Sequence, residues 1–237
     1  MKTYLFLGDT HGDLVFVEGA AHFARQHAAE VIQVGDWGFV WPGGTQLKQL
    51  SKILTDMGVT MRFIDGNHDE HPRLRSYIST CAATLIAPNV IYQPRGSVHE
   101  DEDSTRFLFM GGAPSIDRAS RVVGRSWWPE ETIADADFAI ARDAKGPIHV
   151  LVTHDAPAFP PGFSPKGSPG YRLDQERSLT LINTLVEIHR PQLHVHGHWH
   201  RRYERLHACG TTIVGLDCNL VKPKVTDLAM LLWTRAQ

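Results

Sequence analysis

Five short polar segments constrain what this chain can fold into. They are Asp9-Thr10-His11, Gly35-Asp36, Gly66-Asn67-His68-Asp69, His154 and Gly197-His198-Trp199-His200, and each follows a short β-rich run. In α/β sheets the loops at the carboxyl ends of strands carry the ligand site, so the fold must gather five strand ends in one place. The donors in these segments are oxygen and nitrogen, without sulfur. That set suits a six-coordinate, hard-to-borderline ion such as Mn, Fe or Zn rather than a closed structural zinc site. Asp9 and His11 are two residues apart, as are His198 and His200. At a strand end, positions i and i+2 face the same side, so both members of each pair can reach one ion. One such pair alone says little; the weight lies in all five segments occurring in order, each at a strand end.

The rest of the chain alternates in the same way. Strands are predicted at Lys2–Leu7, Val31–Val34, Val59–Ile64, Ile148–Thr153 and Leu193–His196, with helices at Leu14–Ala28, Gln46–Met57 and Gln175–His189. The helix assignments rest on apolar spacing of three and four, as at Leu47, Leu50, Ile53, Leu54 and Met57. Val90–Tyr92, Gly96–His99 and Arg106–Met110 read as short antiparallel strands, and Pro129–Arg142 as a helix. Arg201–His207, Thr211–Leu216 and Val225–Trp233 close the chain as strands. Ala156–Arg172, rich in Pro and Gly, reads as loop. No repeat or linker divides the sequence, so residues 1–237 are read as one α/β domain of two β-sheets with helices outside.

Composition excludes several classes. The 24 Lys+Arg residues against 26 Asp+Glu give a net charge of −2. A nucleic-acid coat or a polybasic membrane binder needs a surplus of positive charge, so no stable nucleic-acid binding is expected. No apolar run is long enough to span a membrane, and the run Tyr4–Leu7 is too short for a secretory signal. The three cysteines, Cys81, Cys209 and Cys218, are odd in number and form no CxxC pair. A cytoplasmic setting is expected.

The ordered segments resemble the signature of the calcineurin-like metallophosphoesterases, DxH, GDxx, GNH(D/E), H and GHxH, with every specified position met between Asp9 and His200. The resemblance implies a four-layer α/β/β/α sandwich of two mixed β-sheets and two divalent ions, Mn first, with Fe or Zn as alternatives. It implies that Asp9, His11, Asp36 and His200 hold one ion, and that Asp36, Asn67, His154 and His198 hold the other. Asp36 would bridge them, and His68 would be the catalytic histidine that is not a ligand. Two ions sharing a hydroxide lower its pKa. In-line attack on phosphorus would follow, with His68 protonating the leaving oxygen and Asp69 fixing the His68 tautomer.

Around this centre three stretches are candidate pocket walls. Trp37-Gly38-Phe39-Val40-Trp41 follows Asp36, and its aromatics suit either a nucleobase or the core. Ile116–Glu131 carries Arg118, Arg121 and Arg125, which share one face if helical, suited to phosphate or to solvent. Pro160–Arg172 holds Lys166, Tyr171 and Arg172, and fits a lid or a plain surface loop. His194 is read as a hydrogen-bonded core residue, His196 as core or support for the ligands, and His71 as a rim residue. Asp13 and Asp155 are read as caps or as residues orienting their neighbours.

The expected function is a dinuclear-metal phosphodiesterase for small, nucleotide-type substrates, 2′,3′-cyclic ones included. A phosphomonoesterase, Ser/Thr protein phosphatases among them, is the alternative. Those phosphatases carry arginines after the Gly-Asp-x-x and Asn-His-Glu segments, where this chain has Phe39 and Val40 and then Asp69-Glu70-His71. A nuclease and a non-catalytic scaffold are the remaining classes; the charge balance speaks against the first and the intact His68 against the second.

Overall fold

The structure is a computed structural model that describes residues 2–40, 46–78, 83–219 and 228–235. The first β-sheet is built from β1 (Thr3–Leu7), β2 (Ala29–Gln33), β3 (Met61–Phe63), β4 (Thr84–Ala87), β5 (Val90–Tyr92) and β12 (Met230–Thr234). The second holds β6 (Val98–Glu100), β7 (Arg106–Met110), β8 (Val150–Thr153), β9 (Leu193–His196), β10 (Tyr203–Leu206) and β11 (Thr212–Gly215). Their orders are β12-β1-β2-β3-β5-β4 and β10-β11-β9-β8-β7-β6. In each sheet the four inner strands are parallel and both edge strands antiparallel.

Alternation along the strands sets the layers. Tyr4 and Phe6 of β1 join Phe107, Phe109, Val150, Val152 and Val195 in a core between the sheets. Their neighbours Leu5 and Leu7 face the other way, onto α1 (Leu14–Gln26) and α2 (Gln46–Met57). Leu108, Met110 and Leu151 likewise meet α4 (Asp135–Arg142) and α5 (Pro169–His189). Successive strand side chains point to opposite faces, and a sheet buried on both faces needs apolar residues at nearly every position. The product is the expected α/β/β/α sandwich. No helix among the described residues is long and apolar enough to cross a membrane.

Several expected elements differ. Helix α5 starts at Pro169, six residues before the expected Gln175. Ser168 caps it, its hydroxyl accepting from the Tyr171 N–H at 3.3 Å, and proline suits the first helical position because its missing N–H is an orphan there anyway. The expected helix Pro129–Arg142 is split into a 3-10 turn at Pro129–Glu131 and α4, with extended backbone at Thr132 and Ala134 between them. The short helix α3 (His71–Ser76) and strand β4 were not anticipated. The expected strand Val225–Trp233 begins outside the described residues; Cys81 and Trp41 lie outside them altogether.

Candidate metal centre

Because the inner strands of both sheets are parallel, their carboxyl ends collect at one edge of the sandwich. Asp9 follows β1, Asp36 follows β2 and Asn67 follows β3, all from the first sheet. His154 follows β8, while His198 and His200 follow β9, from the second. Donor atoms of Asp9, His11, Asp36 and His200 all lie within 4.8 Å of one another. His200 Nε2 is 3.0 Å from Asp9 Oδ2 and 3.3 Å from His11 Nε2.

A second donor group adjoins the first at Asp36. His154 Nε2 lies 3.3 Å from Asp36 Oδ1 and 3.0 Å from Asn67 Oδ1. His154 Nδ1 lies 2.9 Å from the Val34 carbonyl, to which it donates, so the tautomer directs Nε2 toward the two oxygens. Asn67 Nδ2 donates to Ser115 Oγ at 3.0 Å, which directs its amide oxygen inward. Three acceptors therefore converge on one point, and positive charge is needed among them. Without an ion that charge is a proton: despite burial, Asp36 pushes His154 up to about 10. Burial favours the protonated Asp36 carboxyl, yet His154 holds it well below the usual carboxylate range. The donor chemistry fits a divalent cation.

Local backbone geometry sets the donors in place. His11, Asp36, His198 and His200 all have φ between 45° and 66°, a left-handed conformation that costs a non-glycine residue of order 1–3 kcal/mol. Such strain is held where surrounding structure dictates it, and here four of the seven candidate ligands carry it. Gly66 is needed for close approach, since a Cβ there would lie 2.1 Å from Asp36 N. At Gly197 a Cβ would meet Asp9 Oδ1 at the same distance.

His68 borders this group without joining it. Its backbone N–H donates to Asp36 Oδ1 at 2.7 Å, and its ring lies 5.4 Å from that of His11. Arg121 Nη2 approaches His68 Nε2 at 2.7 Å while its Nε pairs with Asp117 at 2.8 Å. Burial, and beyond it the charge of Arg121, lowers the His68 pKa against the pull of Asp36. Asp69 has a different role from the one expected. Its carboxylate accepts from the N–H groups of Gly66 and Gly38, both at 2.9 Å, and of Trp37 at 3.2 Å. It therefore ties the loop after β3 to the loop after β2. Burial and the nearby Asp36 raise its pKa to about 7.

The remaining candidates separate. Trp37 is fully buried, stacked on Phe63 at 3.7 Å with its Nε1 on Met61 Sδ; it is a core residue and presents no face to a ligand. The three arginines do not share a helical face, because only Arg118–Ser120 forms a single 3-10 turn. Arg118 pairs with Asp174, Arg121 reaches His68, and Arg125 is exposed. Tyr171 is buried and lines a cavity beside His198 and His200. His71 is also buried rather than on the rim, and burial against the attraction of Asp65 lowers its pKa to about 3. His194 is in the core, bonded to Thr153 Oγ1 at 2.7 Å, and His196 is held by Tyr203 Oη at 2.6 Å. Asp13 caps α1.

The pairing of Ser115 with Glu131 behind Asn67 is not read from the sequence, although Glu131 ends the candidate stretch Ile116–Glu131. Glu131, fully buried, accepts from Ser115 N at 2.7 Å and from Ser115 Oγ at 2.6 Å. With its own hydrogen committed, the hydroxyl can only accept from Asn67. No local spacing signals such a relay. Glu131→Gln should weaken divalent-ion binding through Asn67 by about 10- to 100-fold, the usual cost of losing a group that orients a ligand. Titration calorimetry with Mn would show this, and an unchanged isotherm would remove Glu131 from the account.

The sequence matches the calcineurin-like phosphoesterase family over residues 2–202, and the chain belongs to that family. Membership and the clustered ligands together define a metal-dependent phosphoesterase. Comparison with curated proteins returns no match. Among solved structures, TT1561 of Thermus thermophilus is similar over 92% of this chain and 90% of its own, at 14% identity and TM-score 0.57. A dimetal phosphatase from Danio rerio is similar over 97% of this chain and 91% of its own, at 12% identity and TM-score 0.53. At these identities the likeness concerns the fold.

Proposed function

We propose that the chain is a phosphodiesterase using two divalent ions, Mn foremost, on small nucleotide-type substrates. The observation that supports this reading is that Asp36 adjoins both donor groups, so that its carboxylate would serve two cations at once. When bound, such ions supply Lewis-acid charge and an activated water at neutral pH. Asp9, His11 and His200 would hold one, and Asn67, His154 and His198 the other. His68, beside Asp36, would donate a proton to the leaving oxygen, and Arg121 would offer a second positive group to a phosphate oxygen.

The diester reading draws on space. Two separate hollows border the ligands. One, of about 330 Å³, is lined by His11, Gly38, Gln46 and His68. The other, of about 230 Å³, runs past His198 and His200. A diester has two substituents on phosphorus, and each hollow offers room for one. A monoester would leave one of them unused. The Mn-loaded protein should therefore turn over a chromogenic phosphodiester at least about tenfold better, in kcat/KM, than its monoester analogue, a difference of about 1.4 kcal/mol in transition-state binding. A monoester preference would move the assignment to phosphomonoesterase, with phosphopeptides tested next.

A further inference from the structure

The 230 Å³ cavity beside His198 and His200 has walls with a definite chemistry. Its apolar surface comes from Ile116, Phe159, Phe163 and Trp199, with Tyr171 also lining it. Phe159 and Phe163 meet the Trp199 ring edge-on, at 5.6 and 5.1 Å. An apolar cavity of about 150 Å³ is enough for benzene, so this one has room for a bicyclic ring.

The buried polar atoms of Tyr171, Gln175 and Trp199 in the wall are committed to one another and to Asp155, while Ser164, Lys166 and Arg172 are exposed to solvent. Tyr171 Oη donates to Gln175 Oε1 at 2.8 Å, and Gln175 Nε2 donates to Asp155 Oδ2 at 2.8 Å. Trp199 Nε1 donates to the other Asp155 oxygen, also at 2.8 Å. Among the described residues, none of the buried polar side-chain atoms without a partner belongs to this wall. A site that reads the edge of a base needs donors and acceptors in waiting; a site that accepts any base needs only flat apolar faces, because every base has a π-face. Lys166 and Arg172, both exposed, add positive charge to the lining and favour an anionic ligand.

We infer that this cavity is a base-tolerant stacking site, in which Trp199, Phe159 and Phe163 take the nucleobase of the substrate by its face and without discrimination among bases. The inference rests on the proposed nucleotide-type substrate and sharpens it: phosphate chemistry decides what is cleaved, while the cavity demands a planar ring of any identity. Asp155 is the brace of the site. It follows the ligand His154 directly and holds both the indole and the Gln175 amide from beneath, so ring orientation is tied to the metal centre.

The test uses Mn-loaded protein and uncharged nucleosides. Adenosine, guanosine, cytidine and uridine should each quench tryptophan fluorescence and compete with a chromogenic phosphodiester, with inhibition constants within about tenfold of one another. Ribose should do neither at a hundredfold higher concentration. Phe163→Leu and, separately, Trp199→Leu should weaken all four nucleosides by about tenfold or more at unchanged metal content; the Phe163 variant serves if the Trp199 change perturbs its histidine neighbours. Competition by ribose, a hundredfold preference for one base, or indifference to both substitutions would overturn the inference. The two readings fail separately. Nucleoside binding without hydrolysis of any phosphoester would leave the cavity assignment and remove the phosphodiesterase. Hydrolysis without nucleoside binding would do the reverse.

Discussion

Replacing Asp36 by Ala should strip most of the divalent metal from the protein and lower turnover by about 10³-fold or more. Asp36 is the residue common to the Asp9–His11–His200 group and the Asn67–His154 group. Its loss removes charge and geometry from both together. Metal-bound charge is worth several kcal/mol in a phosphoryl-transfer transition state, and each 1.36 kcal/mol is a factor of ten in rate. Metal analysis of the dialysed variant beside its kinetics is the direct check. Wild-type metal content would show that Asp36 is not shared. The isosteric Asp36→Asn keeps the shape and one oxygen donor, so it should retain more metal than the alanine variant.

His68→Ala should have the opposite profile. Metal content should stay at the wild-type level, because the bond from His68 to Asp36 comes from the backbone N–H, which alanine keeps, while turnover falls by about 10²- to 10⁴-fold, the usual contribution of a placed proton donor. The loss should be smaller for a substrate with a leaving group acidic enough to depart unprotonated, such as a nitrophenol, than for one releasing an alkoxide. Equal losses on both substrates would assign His68 to charge stabilisation alone. Unchanged turnover would take it out of the chemistry.

The sequence made the candidate ligands legible for a physical reason. Each sits one to four residues beyond the last residue of a parallel strand, and parallel strands end together, so order along the chain maps onto a common place in space. The layers were legible too, since strands buried on both faces leave an apolar run. What stayed hidden depends on partners distant in sequence. Asp69 follows His68 directly, yet its bonds go to backbone N–H groups, two of them in the loop after β2. Arg118, Arg121 and Arg125 carry helical spacing, but the segment turns only once and sends them to different partners. At Trp37 the same indole suits a ligand face or a core; the stack on Phe63 decides, and that neighbour is set by strand pairing. Pro169 and Gly170 read as loop by composition, while position makes them the first turn of α5.

The donors come from both halves of the sandwich: Asp9, His11, Asp36 and Asn67 from the first sheet, His154, His198 and His200 from the second. Elsewhere the sheets meet through apolar side chains such as Phe6, Phe107 and Val152. At this edge they would be joined by coordination, so a bound ion acts as a rivet through the seam. Metal capture is then also a mechanical event. Ligand bound only by the native state adds about 2.7 kcal/mol at a hundred times its dissociation constant, and here that energy resists separation of the two halves. Chelation should lower the melting temperature of the protein and speed amide hydrogen exchange first in β1 and β8, which supply Phe6 and Val152 to the inter-sheet core. A loaded centre would thus serve as a fastener of the architecture that presents it.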